Sequence, residues 1–242
     1  LLLLALRARS YYTAPLPPLS LLGTSSPGPY RCDPALSREM ARSAIAFPST
    51  RRKWKAWQNA LAKEARGRRG AVDVVFFGDS IFESLRGTAG GGWCERCTGI
   101  PEVLREVLGP GTKVRVQAIA GDQSPNLLWR VTRGGELGRG GRFPAPAPRV
   151  AVLNIGTNDR PVKNVTRDVS LGNFEAILKR LVGSGVGAVV VLGVLPSGGC
   201  PDDVACEETP AAGHPDMERK RRQNDDISSL AACYGPGGGA GG

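Results

Sequence analysis

VDVVFFGDSIFESL, residues 72–85, is the stretch that decides the predicted fold of this chain. Its apolar run, Val74–Phe77, stops at a glycine, and the apolar residues after Asp79 and Ser80 have the spacing of one helical face. A buried strand, a turn and a helix therefore follow one another, and Ser80 lies at the carboxyl end of the strand. Ligands bind at that edge of an open α/β sheet, although a serine there can also act only as the helix N-cap.

Three further segments repeat this pattern of a short, valine-rich apolar run with a helical pattern further on: residues 113–119, 149–155 and 187–195. Strands that alternate with helices predict the α/β class, as a three-layer αβα sandwich with a flavodoxin-like parallel sheet. Right-handed crossovers bring the carboxyl ends of all the strands to one edge. Gly121 and Asn158 each follow a strand, as Ser80 does, and are expected to lie near it.

Ser80, Gly121 and Asn158 together supply the groups that a hydrolase needs. Ser80 offers a hydroxyl nucleophile and its own backbone N–H. Gly121 offers a backbone N–H that no side chain obstructs. Asn158 offers a side-chain amide. These donors predict an oxyanion hole beside a nucleophile.

The same residues make the chain resemble the SGNH (GDSL) hydrolase superfamily. Its first three sequence blocks are matched, in order, by Gly78-Asp79-Ser80-Ile81, by Gly121 and by Gly156-Thr157-Asn158-Asp159. Within the superfamily, Leu127–Arg130 and Gly193–Pro196 resemble the platelet-activating factor acetylhydrolase-like esterases. The resemblance extends over residues 72–230.

The resemblance implies a function and assigns roles to residues. Ser80 would be the nucleophile, and the N–H groups of Ser80 and Gly121 with the Asn158 amide would form the oxyanion hole. The implied reaction is hydrolysis of a small-molecule ester, such as a lipid acetyl ester, an acetylated sugar or a small ester. It proceeds through an acyl-serine intermediate, without metal or cofactor.

The fourth block of the superfamily, Asp-x-x-His after a fifth strand, has no match in the 242 residues. The single histidine, His214, lies in a predicted surface loop without an orienting partner, and we expect it to be a bystander. We therefore expect a C-terminally incomplete or frameshifted chain that lacks the last strand and is impaired as a catalyst. The alternative is a non-catalytic ligand-binding protein of the SGNH fold.

The positive charge of the chain is concentrated near its beginning. The formal net charge is +10, and the first 70 residues hold 13 of the 32 Lys and Arg but 3 of the 22 Asp and Glu. The remainder is neutral and has no basic stripe with interleaved aromatics, so we expect no nucleic-acid partner. A third hypothesis is a protein that binds polyanions through its basic N-terminus. No residue pattern indicates the oligomeric state.

The predicted domain organisation has three parts. Residues 1–48, rich in Leu, Pro, Ser and Gly, are interpreted as a largely disordered extension, whose start is either the remnant of a secretory signal or a poorly packed N-terminus. Residues 49–234 form the hydrolase domain, and the glycine-rich residues 235–242 form a disordered tail. No apolar run is long enough to cross a membrane.

The six cysteines are interpreted as structural. Cys94 and Cys97 have the spacing of half a zinc site or of a redox pair, but a second ligand pair is missing and glycines precede them instead of a strand. Disulfides Cys94–Cys97 and Cys200–Cys206 fit better. With the glycosylation sequon at Asn164, they favour a secreted protein over a cytoplasmic one.

Overall fold

A computed structural model describes residues 39, 41–67, 71–160, 164–195 and 215–234 of the chain. Most of the predicted extension, the predicted tail, His214 and the Cys200–Cys206 pair lie outside these residues.

The described elements follow the predicted alternation of strands and helices. In chain order they are α1 (Arg52–Arg66), β1 (Val74–Gly78), α2 (Ser80–Glu83), β2 (Thr88–Ala89), β3 (Gly92–Trp93), α3 (Ile100–Leu108), β4 (Val114–Ala118), α4 (Ser124–Thr132), β5 (Val150–Asn154), α5 (Arg167–Val182), β6 (Ala188–Val191) and α6 (Pro215–Cys233). Within the described ranges, no helix combines the length and the apolar character needed to cross a membrane.

The main sheet is parallel and has the strand order β4-β1-β5-β6. This order confirms the flavodoxin-like prediction, because the first strand lies between the second and third long strands of the chain. Gly78, the last residue of β1, pairs with Ala118 of β4 on one side and with Asn154 of β5 on the other. The loops after these three strands therefore begin at the same level of the sheet.

Helices cover both faces of this sheet, which confirms the three-layer αβα sandwich. Val75 and Phe77 of β1 pack on one face in a cluster with apolar residues of α4, α5 and α6. Phe76 points to the other face and packs with Phe82 of α2 and Leu104 of α3. Because strand residues alternate between faces, a strand covered on both sides is apolar throughout, as residues 74–77 are.

Strand β6 is shorter than predicted. The apolar pattern predicts a strand over residues 187–195, but β6 spans Ala188–Val191. Beyond it, the Val194 N–H donates to Asn224 Oδ1 (2.6 Å), and Asn224 Nδ2 donates to the Val194 carbonyl oxygen (2.9 Å). A side chain of α6 thus replaces the strand partner that Val194 would need, so regular pairing ends.

A hairpin and a disulfide follow α2. Strands β2 and β3 form an antiparallel pair, and the disulfide Cys94–Cys97 comes directly after it, as predicted. The loop returns to the residue just before β2, since the Cys94 N–H donates to the Gly87 carbonyl oxygen (3.1 Å).

Gly78 occupies a position without room for a side chain. A Cβ added there would lie 2.4 Å from the Asn154 carbonyl oxygen and 2.9 Å from the Phe82 ring. We expect Gly78→Ala to lower the free energy of unfolding by about 1–3 kcal/mol, the usual cost of overpacking a core. Gly111→Ala is the matched control, because a Cβ at Gly111 meets no atom within 4 Å. Urea denaturation measures both, and equal stabilities of the two variants would contradict the prediction.

Candidate active site

Ser80 is the first residue of α2, and its neighbour Asp79 is the N-cap. The Asp79 carboxylate accepts the Ile81 N–H at 3.0 Å and so performs the capping. The alternative in which Ser80 serves only as the N-cap is therefore wrong. The Ser80 hydroxyl is half-buried and makes no hydrogen bond to the residues that the structure describes.

The Asn158 side chain joins the loops that carry the other two predicted residues. Its Nδ2 donates to the Asp122 carbonyl oxygen at 2.9 Å and lies 3.4 Å from Asp79 Oδ2. Asp122 directly follows Gly121, and Asp79 directly precedes Ser80. The structure thus brings Ser80, Gly121 and Asn158 to one edge of the sheet, and each of the three is half-buried.

Gly121 lies in a turn that requires its lack of a side chain. Its φ of +81° is in the left-handed region, which L-residues with a Cβ avoid. The turn is closed by the Asp122 N–H, which donates to the Ile119 carbonyl oxygen at 3.1 Å. Within the described residues, the Gly121 N–H has no acceptor, so it remains available to a ligand.

Asp159, the residue after Asn158, anchors its loop to two helices. One carboxylate oxygen accepts the Ser124 N–H at the start of α4 (2.8 Å), and the other accepts the Ser170 hydroxyl of α5 (2.6 Å). In addition, Gln123 Nε2 donates to the Asn158 carbonyl oxygen (3.0 Å). These bonds restrain the backbone on both sides of the Asn158 amide.

Glu83 is a buried residue of the site that the sequence prediction missed. One of its carboxylate oxygens accepts the Gly91 N–H (2.7 Å) and the Thr88 hydroxyl (3.1 Å). The other accepts the Ala120 N–H at 2.5 Å. Glu83 therefore links the helix of Ser80 to the hairpin and to the residue before Gly121. Its signal in the sequence is a lone acidic residue between the apolar positions of a short helix.

Arg130 of α4 is the second residue that the prediction missed as part of the site. It is fully buried, and it pairs with Asp122 (2.7 Å) and, through two nitrogens, with Glu136 (2.8 and 2.7 Å). The same guanidinium donates to the Gly78 carbonyl oxygen at 3.2 Å. The Asp122 carboxylate also accepts the indole N–H of Trp54 from α1. Arg130 thus connects the end of β1 to the residue after Gly121.

Burial and charge shift the pKa values of this network. Burial raises the pKa of Asp122, although the attraction of Arg130 opposes the shift. Burial by itself would lower the pKa of Arg130, but the charges of Glu136 and Asp122 outweigh it and raise that pKa. The guanidinium is consequently a permanent cation, and it holds two carboxylates in place.

We expect Arg130→Met to lower the free energy of unfolding by about 3–5 kcal/mol, because it leaves Asp122 and Glu136 buried without their cation. Arg105→Met is the matched control. Arg105 forms an exposed pair with Glu102, and removing such a pair changes stability by less than about 1 kcal/mol. Chemical denaturation compares the two variants with the parent protein. A loss in Arg130→Met no larger than that in Arg105→Met would contradict the assigned role.

Asp79 is fully buried, and its burial, with the nearby charge of Asp159, raises its pKa to about 6. An unfolded Asp has a pKa of about 3.9, so the folded protein binds a proton more tightly at this site. The contribution to stability is therefore complete below about pH 4 and is lost as the pH rises through about 6.

We expect the free energy of unfolding of the parent protein to fall by up to about 3 kcal/mol more than that of Asp79→Asn between pH 4 and pH 6. Titration of Asp122 changes the pH dependence of the free energy of unfolding equally in both proteins. The difference between the two pH profiles therefore reports Asp79 alone. Urea denaturation at several pH values provides the measurement. Parallel pH profiles of the two proteins would show that the Asp79 pKa is not raised.

A cavity of about 230 Å³ lies between α5 and α6, beside this edge of the sheet. Its walls are mostly apolar, with contributions from Leu171, Phe174 and Ile227. Asp159 borders it, whereas Ser80, Gly121 and Asn158 do not. The cavity is therefore a neighbour of the candidate site and not its centre. Among the described residues, no group of His, Cys, Asp and Glu side chains is arranged to hold a metal ion.

Similar solved structures come from several bacteria. A protein of Streptococcus pneumonia, provisionally described as a platelet activating factor, is 21% identical, with 83% of this chain and 73% of that chain covered and a TM-score of 0.51. A GDSL-like lipase of Bacteroides thetaiotaomicron is 18% identical, with 81% and 76% covered and a TM-score of 0.48. An acetyl xylan esterase of Geobacillus stearothermophilus is 19% identical, with 67% and 73% covered and a TM-score of 0.43. No curated protein matches the chain.

The parallel sheet between two helical layers places the chain in the α/β class. The family model described as the GDSL-like lipase/acylhydrolase family matches residues 76–234, and the chain belongs to this family. The resemblance inferred from the sequence is thereby confirmed, and the protein is an ester hydrolase by its family membership.

Proposed function

We propose that the chain hydrolyses a small-molecule ester at Ser80, with the Ser80 and Gly121 N–H groups and the Asn158 amide as the oxyanion hole. The observation that carries this proposal is the position of the Asn158 carboxamide. It bonds the residue after Gly121 and lies beside the residue before Ser80, so the three groups can surround one carbonyl oxygen.

The reaction begins when the Ser80 oxygen attacks the ester carbonyl carbon and its proton passes to a base. The carbonyl oxygen becomes negative, and preorganised N–H donors stabilise that charge more than they stabilise the neutral ester. One Asn158 N–H donates to the Asp122 carbonyl oxygen, and the other makes only the long 3.4 Å contact with Asp79, so it is available to donate to the oxyanion. Collapse of the tetrahedral intermediate breaks the bond to the alcohol oxygen, which takes up the proton as the alcohol leaves, and water then attacks the acyl-serine, releasing the acid and restoring the Ser80 hydroxyl.

Turnover by this chain is expected to be slow. No described residue accepts the Ser80 hydroxyl proton in a hydrogen bond, so the hydroxyl remains a weak nucleophile near pH 7. Loss of one member of a catalytic triad costs several orders of magnitude, although oxyanion and binding contributions persist. The same observation favours a second candidate, a non-catalytic protein that binds an ester-like ligand in the site.

The resemblance to platelet-activating factor acetylhydrolase-like esterases supports a lipid acetyl ester, an acetylated sugar or another small ester as the substrate. The Cys94–Cys97 disulfide supports an oxidising compartment and hence secretion, since structural disulfides are rare in the reducing cytoplasm.

A neutral fluorophosphonate probe and p-nitrophenyl acetate test the proposal. We expect the parent protein to be labelled and Ser80→Ala to lose both labelling and turnover. In a protein with a complete catalytic triad, we expect Asn158→Ala to lower kcat about 10²–10³-fold, the usual effect of removing one oxyanion donor. Asn59→Ala, which removes an exposed amide on α1, is the matched control and should behave as the parent protein does.

Peptide mapping of the labelled protein identifies the modified residue. Labelling that survives in Ser80→Ala would exclude Ser80 as the nucleophile. Unchanged kcat in Asn158→Ala would remove that amide from the oxyanion hole. A parent protein that neither reacts with the probe nor turns over the ester would favour the non-catalytic candidate.

A further inference from the structure

The guanidinium of Arg51 lies next to Gly121, one of the residues of the proposed oxyanion hole. A Cβ added to Gly121 would lie 2.8 Å from one terminal nitrogen of Arg51, 3.3 Å from the other and 3.5 Å from the carbon between them. Both terminal nitrogens are therefore close to the backbone that would hold a substrate carbonyl.

The position of Arg51 is set by the chain just before α1. Arg51 is the residue that precedes the first turn of α1, and its own side chain is exposed. The Ser49 hydroxyl accepts both the backbone N–H of Arg51 (3.3 Å) and its side-chain Nε–H (3.4 Å). These two bonds use the backbone N–H and Nε, and no described residue accepts a hydrogen bond from the two terminal nitrogens.

No carboxylate of the described residues compensates the charge of Arg51. The acidic side chains at this edge are engaged elsewhere: Asp122 pairs with Arg130 and Trp54, and Asp79 caps α2. The next residues, Arg52 and Lys53, are also exposed cations and add to the positive potential. An anion bound here would therefore meet a planar, uncompensated donor next to the Gly121 N–H.

We propose that Arg51 is a specificity-determining residue that binds an anionic group of the substrate close to the scissile ester. The inference rests on the proposed function, because it assumes that the ester carbonyl is held at Gly121. The ligand class is an ester that bears a carboxylate or a phosphate on a neighbouring atom. Guanidinium binds both with two parallel hydrogen bonds, which a neutral substituent cannot form.

Binding of unreactive amide analogues tests the inference without requiring turnover. Calorimetry compares 3-acetamidobenzoate and 3-acetamidophenyl phosphate with the neutral 3-acetamidobenzamide, which has no ester bond. We expect each anion to bind the parent protein about two- to fivefold more tightly than the neutral compound, the range for an ion pair with an exposed arginine. Whichever of the two anions binds with the lower Kd shows whether the site prefers a carboxylate or a phosphate.

Two variants identify the residue responsible. Arg51→Gln is expected to abolish the preference for the anion, whereas Arg52→Gln, which removes the same charge one residue further along, should retain it. The preference should also weaken at high salt, because an exposed charge is screened.

Equal binding of the anions and the neutral compound by the parent protein would overturn the inference, as would absence of saturable binding of either anion. An equal loss in both variants would show only a general effect of positive charge and would also overturn it. The fluorophosphonate experiment on Ser80 is independent of these outcomes, so a failure of the proposed function is distinguishable from a failure of this inference.

Discussion

The hydrogen bond from the Asn158 amide to the Asp122 carbonyl oxygen is the contact on which the candidate site depends. It joins the loop after β5 to the loop after β4, and the same amide borders Asp79 after β1. Parallel pairing makes the contact possible. Gly78 is in register with Ala118 at the end of β4 and with Asn154 at the end of β5, so the loops after the three strands begin side by side at the same edge of the sheet. Loops of different strands can therefore share a single small side chain as their link.

Buried charged side chains also restrain the backbone around Gly121 at this edge of the sheet. Gly121 lies between Ala120, whose N–H is held by Glu83, and Asp122, whose carboxylate is held by Arg130 and Trp54. In a dry interior such bonds are stronger than in water, and they exclude alternative loop conformations that would leave a charge unpaired. Donors that are held in this way need not reorganise when charge develops on a substrate, which is what an oxyanion hole requires.

Much of the fold could be predicted from local sequence. The apolar run before Gly78 and the alternation of strand and helix patterns indicate a covered parallel sheet, because burial on both faces demands continuous apolar residues. The candidate residues Ser80, Gly121 and Asn158 were placed by the rule that parallel strands end at a common edge. The disulfide Cys94–Cys97 could be predicted because the spacing allows it, while a second pair of metal ligands and the strand that precedes a redox pair are both missing.

The sequence by itself determined the class, the parallel sheet and the edge where the candidate residues lie, because these follow from periodicity and chain direction. Only the tertiary structure decided which buried charges meet. Arg130 could have been a surface residue, and Glu83 a solvated one, until packing removed water and gave each its partners. It also decided that Asp79, and not Ser80, caps α2 and that Arg51 reaches Gly121 across 70 residues of chain, because contacts between distant segments leave no periodic pattern in the sequence.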